Sequence, residues 1–302
     1  MKRSKQLRKP HSRSGDPRSS RWALGIVARR RITTWAALLT LFVCLAFFLF
    51  PIYWIISVAF KSRPDIFAGP ERYFIFEPTL ANMEAILFGR RSFLPNVANS
   101  AIVAIASTAF SVLLGTMAGF SLSRWRFRRR ADVAFYILST RMMPPIAVII
   151  PMYLIFRHLG LVDTYGAIIV AHTVFNLPLV TWLMKSFFDD LPVELEEAAK
   201  VDGCTVPQAF WRITLPLSLP GLASASIFAF IFSWNEFLFS LILTGFDTRT
   251  LPVAVIGFQA SLGVRWGEMG AGATVAIIPV LAFALLVQRY LVRGLTAGAV
   301  KG

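Results

Sequence analysis

Long apolar stretches alternate with short polar segments along most of the chain. A helix rises 1.5 Å per residue, so about 20 apolar residues cross the hydrocarbon core of a bilayer. The pattern therefore predicts an all-α integral membrane protein with six transmembrane helices. The six stretches are residues 35–59, 97–121, 132–156, 166–187, 217–243 and 273–292.

The segment before the first stretch is polar and basic, and we expect residues 1–34 to form a cytoplasmic segment that is disordered at its start. A basic head followed by an apolar run is also the pattern of a secretory signal. Here the run continues to Phe60, longer than a signal core, and no convincing cleavage site follows. We expect it to remain as the first span of a transmembrane domain over residues 35–302.

Prolines and glycines interrupt several predicted spans. A proline inside a membrane helix frees a carbonyl that neighbouring helices or a cavity must satisfy, which suits a transport core. Kinks are nevertheless common in any helical membrane protein. Gly115 and Gly119 have the spacing that lets another helix approach closely, which we interpret as packing. The prolines are Pro144, Pro145, Pro151, Pro178 and Pro279.

Composition and charge agree with a membrane protein. The chain is 56% hydrophobic and 16% charged, with a formal net charge of +15. The positive residues are concentrated before residue 32 and in the loop 124–130, beside apolar runs, as the positive-inside rule requires. Both blocks then lie in the cytoplasm, together with both termini. No aromatic-interleaved basic surface accompanies the charge, so nucleic acid is not expected as a partner.

Residues 189–216 form a polar, acid-rich interval within the apolar second half of the chain. Pro192 suits the first turn of a helix, and Gly203 can take the left-handed conformation that ends one. Thr205 and Gln208 have the spacing of a capping box, which predicts a second short helix toward Leu215. We therefore predict a helix, a glycine elbow and a second helix on the cytoplasmic side.

The first of these helices has a face that can approach another surface closely. Helical spacing places Glu194 and Glu197 on a different side from this face. The face consists of Leu195, Ala198, Ala199 and Asp202.

Two charges lie inside predicted spans, where each is costly. Arg141 and Glu236 differ in depth, so we do not expect them to pair. Trp234, Asn235 and Glu236 together suggest a polar and aromatic patch in the outer half of the membrane, able to handle a sugar by hydrogen bonds and stacking. The alternative is that Glu236 reaches the outer interface or braces a neighbouring helix.

Catalytic and metal-binding motifs are not evident. Cys44 and Cys204 are expected at different depths, and the three histidines are scattered. No lysine follows a glycine, so the phosphate loop GxxxxGK[ST] is absent. We expect no metal and no cofactor on this chain, and any ATP hydrolysis on which it depends must occur on another polypeptide.

Four segments in register resemble the permease subunits of bacterial ATP-binding-cassette importers. The first is similar to their cytoplasmic "EAA" loop, and the others point to the carbohydrate branch, in the group similar to the maltose permease G protein. The resemblance covers roughly residues 35–302. The segments are EAA at 197–199 with DG at 202–203 and LP at 215–216, SWNEF at 233–237, TLPV at 250–253 and GLTAGAVKG at 294–302.

The resemblance implies a six-helix type I importer permease of the bacterial inner membrane. It would pair with a second homologous permease, two copies of an ATPase that carry ATP and Mg, and an extracytoplasmic solute-binding protein. Lys301 and Gly302 would contact the ATPase subunits through the C-terminal tail. The loop residues that would couple to the ATPase are Glu196, Glu197, Ala198, Ala199, Asp202 and Gly203.

Two other functions are weighed against an importer subunit. A self-sufficient secondary transporter would need inverted repeats and coupling-ion sites near the membrane midplane, and neither is evident. A membrane enzyme would need a nucleophile with its base, or a metal site. The sequence does not identify the solute: a neutral sugar or polyol is expected, while relatives of this family also carry glycerol phosphodiesters or phosphates.

Overall fold

The computed structural model is almost entirely helical and describes residues 17–89, 92–257, 259–260 and 263–299. Its contacts divide the chain into two units, residues 1–54 and 55–302. Helix α1, Pro17–Ala59, contributes to both. In the first unit the side chains from 33 to 50 are exposed, as is typical of an apolar helix that faces lipid.

The second unit contains the remaining helices and one two-residue antiparallel ladder, β1 (Gln259–Ala260) with β2 (Gly263–Val264). The helices are α2 (Arg63–Ile66), a 3₁₀ turn (Pro70–Arg72), α3 (Ala81–Phe88), α4 (Leu94–Arg124), α5 (Arg130–Thr140), α6 (Pro145–His158), α7 (Tyr165–Asp189), α8 (Glu194–Val201), α9 (Val206–Ala209), a π-helical turn (Phe210–Thr214), α10 (Leu215–Leu217), α11 (Leu219–Trp234), α12 (Leu238–Leu243), α13 (Leu251–Ile256) and α14 (Trp266–Ala299).

Four of the described helices are long and apolar enough to cross a membrane, namely Thr33–Ala59 of α1, α4, α7 and Trp266–Phe283 of α14. Two bent pairs raise the number to as many as six if each pair is one span. In one pair α5 meets α6 at 87°, and in the other Val206–Leu217 meets α11 at 76°. The first bend lies at the predicted proline pair, because Pro144 caps α6 and Pro145 is its first residue.

Helices α4 and α7 form the centre of the second unit. A side chain at Gly115 would lie 2.7 Å from Val180 Cγ1, and one at Gly119 would lie 2.9 Å from the backbone nitrogen of Lys185. Such distances are too short for a methyl group, so glycine is required for this approach. The packing role predicted for Gly115 and Gly119 is confirmed.

Three buried clusters fill the second unit. One joins α4, α7, the π-helical turn and α11 around Phe120, Val180, Phe188 and Phe210. Another joins α4, α6, α7 and α12, and the third joins α3, α4, α11, α13 and α14. The first of these clusters fixes the acidic loop to α4, α7 and α11.

Candidate functional site

The acidic loop, residues 189–216, has the predicted helix, elbow and helix. Gly203 has φ +88°, and the predicted left-handed conformation is confirmed. A side chain at Gly203 would meet no atom within 4 Å, so strain there comes from the backbone alone. The Thr205 backbone N–H donates to Gln208 Oε1 at 2.8 Å, which confirms the capping box. Pro192 lies just before α8, whose N-cap is Val193.

Glu196 is the buried acid of this loop. Its Oε1 accepts from Arg124 Nε at 2.8 Å and from the Thr214 hydroxyl at 3.0 Å. Both charged side chains are only 8% exposed. Removing one partner of such a buried ion pair leaves the other uncompensated, which makes the contact a strong constraint on structure. Glu196 therefore braces the loop from within.

Arg124 makes four hydrogen bonds through its guanidinium. Besides Glu196, it donates to the carbonyls of Phe188 at 2.7 Å and Leu191 at 3.1 Å, and to the Ser123 hydroxyl at 3.1 Å. The rigid fork of the guanidinium suits this simultaneous binding. The end of α4, the end of α7 and helix α8 are thus held together. The sequence indicated Arg124 only as part of a basic, topology-setting block.

An aromatic contact supplies a second attachment. The Phe210 ring, in the π-helical turn, lies 4.7 Å from Phe120 on α4 and 6.3 Å from Phe188 on α7, centroid to centroid. These rings are buried, and burying a large aromatic side chain contributes about 1.5–3 kcal/mol. Both halves of the acidic loop are therefore anchored on the same two long helices, α4 and α7.

The outward surface of α8 carries the remaining predicted coupling residues. Glu197, Ala198, Asp202 and Gly203 are exposed, whereas Ala199 is 4% exposed and faces the protein interior. The predicted small-residue face is thus divided between two sides of the helix. Of its two alanines, Ala198 is the accessible one, and it stands beside acidic side chains.

A second polar cluster lies at the break between α11 and α12. Glu236 accepts from the backbone N–H groups of Phe239 at 2.7 Å and Ser240 at 3.0 Å, so its carboxylate caps α12. Trp234 is 3% exposed and donates its indole N–H to the Ala276 carbonyl at 3.0 Å. Asn235 is exposed. In this conformation Trp234 and Glu236 brace helices, and Asn235 alone of the three presents an exposed side chain.

His172 of α7 holds both sides of this break. Its Nδ1 lies 2.6 Å from Ser233 Oγ, before the break, and its Nε2 lies 3.1 Å from Glu236 Oε2, after it. Ser233 also contacts Ser107 of α4 at 2.8 Å. The sequence contains no signal for this role of His172, because no local spacing relates it to residues more than sixty positions away.

Arg141 and Glu236 form no ion pair with each other among the described residues. Arg141 Nη1 instead donates to the Phe175 carbonyl at 2.9 Å.

Asp163, in the loop between α6 and α7, ties down the loop after α12. Its carboxylate accepts from the backbone N–H groups of Gly245, Asp247 and Thr248 and from the Thr248 hydroxyl. Burial raises the pKa of the Asp163 carboxyl, but the hydrogen bonds outweigh burial and lower it to about 2. Asp163 has φ 60°, a conformation that Asp tolerates better than most residues.

Some predicted features are outside these sites. Lys301 and Gly302 lie outside the described residues, as does His11. Cys44 and Cys204 are free thiols. Among the residues that the structure describes, no three His, Cys, Asp or Glu side chains are grouped as metal ligands.

Comparisons with known proteins agree on one family. Residues 111–297 match the family described as "Binding-protein-dependent transport system inner membrane component". The chain is 42% identical to the probable ABC transporter permease protein y4oR of Sinorhizobium fredii, over 89% of this chain and 97% of that protein. It is 38% identical to the trehalose transport system permease protein SugB of Mycobacterium tuberculosis, over 90% and 99%.

A solved structure has the same fold. A crystal structure of a bacterial ABC transporter involved in the import of the acidic polysaccharide alginate matches with a TM-score of 0.69 and 25% identity, covering 94% of this chain and 99% of that one. The relatives are permease subunits, which are transport components and not enzymes, and the ATPase is a separate subunit. The chain belongs to the family of inner membrane components of binding-protein-dependent transport systems.

Proposed function

We propose that this chain is the permease subunit of an ATP-driven importer for a sugar, polyol or related solute. It lies in the bacterial cytoplasmic membrane with six spans and both termini in the cytoplasm. The names of relatives support the solute class, since they include trehalose, trehalose/maltose and diacetylchitobiose transport. The two bent helix pairs support the six spans, because each adds one crossing to the four continuous ones.

The proposed assembly contains a second homologous permease, an extracytoplasmic solute-binding protein and two copies of an ATPase that carry ATP and Mg. The family description supports the binding protein. The absence of a phosphate loop from the sequence supports a separate ATPase. In this assembly the chain forms half of a pathway that opens alternately to the two sides.

The attachment of the acidic loop to the membrane helices is the main support for this function. Movement of an ATPase can open a pathway only through an element that keeps its shape when pushed. The Arg124–Glu196 pair and the Phe210 contact tie the loop to α4 and α7. A force on α8 is therefore transmitted to both helices, and through α10 to α11.

The exposed surface of α8 is the proposed docking face. Glu197 and Asp202 stand beside the small side chain of Ala198, which permits insertion into a cleft lined by a basic residue. The alternative is that this loop lies on the lipid surface and does not dock on an ATPase. An acidic helix is repelled by an anionic inner leaflet, which favours the ATPase.

Trp234, Asn235 and Glu236 are proposed to lie beside the solute pathway in the outer half of the membrane. The cost of an intramembrane carboxylate supports a functional position for Glu236. Its capping of α12 supports a role in shaping the break, while the exposed Asn235 supports direct contact with solute.

Two terminal segments complete the proposal. Residues 1–34 form a basic cytoplasmic segment ahead of the permease domain, residues 35–302. Lys301 and Gly302 contact the ATPase subunits. The basic composition supports the first placement, and the resemblance of residues 294–302 to the family's tail supports the second.

Reconstitution in liposomes tests the function. The chain alone is expected neither to hydrolyse ATP nor to transport, whereas the complex with its partner permease, ATPase and binding protein imports solute when ATP is supplied. Uptake by the chain alone, driven by an ion gradient, would overturn the proposal in favour of a secondary transporter.

A further inference from the structure

Arg141 lies where α5 stops, at the bend before α6. Its guanidinium carbon is 4.7 Å from the centre of the Phe175 ring and 4.6 Å from that of Phe232. One N–H, on Nη1, donates to the Phe175 carbonyl. Helices α7 and α11 thus both contribute to holding the guanidinium at the bend.

The charge of Arg141 is not matched inside the described part of the chain. Within that part no carboxylate pairs with it, and the Phe175 carbonyl is the one hydrogen-bond acceptor that it contacts. A guanidinium has five N–H donors, so most of them are available. An intramembrane arginine without a carboxylate is costly, and cation–π contacts contribute only about 0.5–2 kcal/mol each. An oxygen-rich ligand would satisfy the remaining donors.

A cavity of about 280 Å³ opens beside this guanidinium. Its volume is close to the lower limit of small-molecule sites, roughly 300 Å³. The lining is mainly apolar, with Arg141 as its charged member and Phe175 as an aromatic wall. Val174 of α7 also lines the cavity.

The predicted depth of the cavity favours a solute over a lipid headgroup as its occupant. Arg141 lies nine positions after the start of the predicted span at residue 132, which corresponds to about 14 Å of helix. That is about half of the roughly 30 Å hydrocarbon core, whereas lipid phosphates lie at its edges.

We propose that this cavity is a solute-binding subsite of the permease, in which Arg141 donates hydrogen bonds to solute oxygens and the Phe175 ring lies against the solute. The proposal rests on the import function above and adds a solute contact outside the SWNEF segment. The ligand chemistry is a group of closely spaced oxygens, either the hydroxyls of a neutral sugar or the carboxylate or sulfonate of an acidic one.

Thiol labelling tests the subsite without knowledge of the cargo. The chain has two cysteines, Cys44 and Cys204, which are first replaced by serine. Val174→Cys, in the complete importer, is then treated with anionic sulfonatoethyl or cationic trimethylammonioethyl methanethiosulfonate. We expect reaction at this position, about fivefold faster with the anionic reagent, because a unit charge several ångströms away attracts one and repels the other.

Two variants complete the labelling experiment. Arg141→Gln is expected to abolish the preference for the anionic reagent. Ile150→Cys is the matched control, since Ile150 is exposed on α6 but does not line the cavity and is expected to face lipid and not to react. An unreactive Val174→Cys, or one without a charge preference, would overturn the proposal.

Uptake by the reconstituted importer supplies the second test, with trehalose, maltose and an alginate trisaccharide as probes. For a probe that the wild type imports, Arg141→Gln is expected to raise KM at least tenfold while the second permease still co-purifies with it. Arg141→Lys restores uptake of an anionic probe but not of a neutral one, because only the charge is kept.

The remaining outcomes separate the two proposals. If the wild type imports a probe and Arg141→Gln imports it with an unchanged KM, the subsite proposal alone would be overturned. Loss of co-purification with the second permease would assign Arg141 to that interface and would also overturn the subsite. If the wild type showed no ATP-driven uptake of any probe, the proposed sugar import would be refuted. The labelling result would still decide whether the cavity is accessible to water and has a positive electrostatic potential.

Discussion

Breaking the Arg124–Glu196 pair should detach the acidic loop from the membrane helices. In Glu196→Ala the buried guanidinium loses its carboxylate and the Thr214 hydroxyl loses its acceptor. Breaking a buried, hydrogen-bonded ion pair costs about 3–5 kcal/mol. Because both side chains are 8% exposed, water can replace little of this interaction.

Amide hydrogen exchange of the purified importer measures the effect. A loss of about 3 kcal/mol in local stability accelerates exchange in α8 by roughly 150-fold, where the exchange rate is set by the equilibrium of local opening. ATP hydrolysis should continue while uptake falls, since the ATPase still docks but its movement reaches α4 and α7 less completely.

Glu197→Ala is the matched control, one position away on the same helix but exposed. It should leave exchange in α8 within about twofold of wild type and weaken ATPase association instead. If Glu196→Ala and Glu197→Ala changed loop exchange and ATPase association to the same extent, the assignment of one acid to the interior and the other to docking would be refuted.

Three further predictions follow from particular contacts. Gly203→Val should reduce uptake more than Gly203→Asn at equal membrane abundance. A non-glycine residue at φ +88° is strained by about 1–2 kcal/mol, and Asn tolerates this region best. Equal uptake by the two variants would contradict this. Asp163→Asn should accelerate amide exchange at residues 245–248 at pH 7. The difference should shrink between pH 4 and pH 2, since a carboxyl whose pKa is lowered from 3.8 to about 2 stabilises the fold above pH 4 and loses that contribution as pH falls through 2; a pH-independent difference would count against the carboxylate. Glu236→Gln should leave the complex assembled and alter uptake kinetics. Unchanged kinetics would limit the role of Glu236 to capping α12.

The local features of the fold were predictable from the sequence. Hydropathy located the continuous spans, and the Pro144–Pro145 pair marked the bend between α5 and α6. Gly203 marked the elbow of the acidic loop. Each of these signals depends on the conformational limits of a few adjacent residues, which the sequence displays directly.

The partners of the buried polar groups were not predictable in this way. Glu196 and Glu197 are adjacent acids, and only the packing of Arg124, 72 positions earlier, distinguishes the buried one. His172 and Glu236 are 64 positions apart. Helical spacing also could not show that Ala199 turns inward, because the face of α8 that packs is chosen by α4 and the π-helical turn.

Site-directed crosslinking tests the central claim, that the acidic loop of this permease docks a separate ATPase. In a chain with Cys44 and Cys204 replaced by serine, Ala198→Cys presents an exposed thiol on α8. Ala199→Cys is the matched control, because native Ala199 is only 4% exposed. We expect Ala198→Cys to crosslink to single cysteines in the ATPase cleft in at least one nucleotide state, and Ala199→Cys not to crosslink. Absence of a crosslink from Ala198→Cys in every nucleotide state, in a complex that still imports solute, would contradict it.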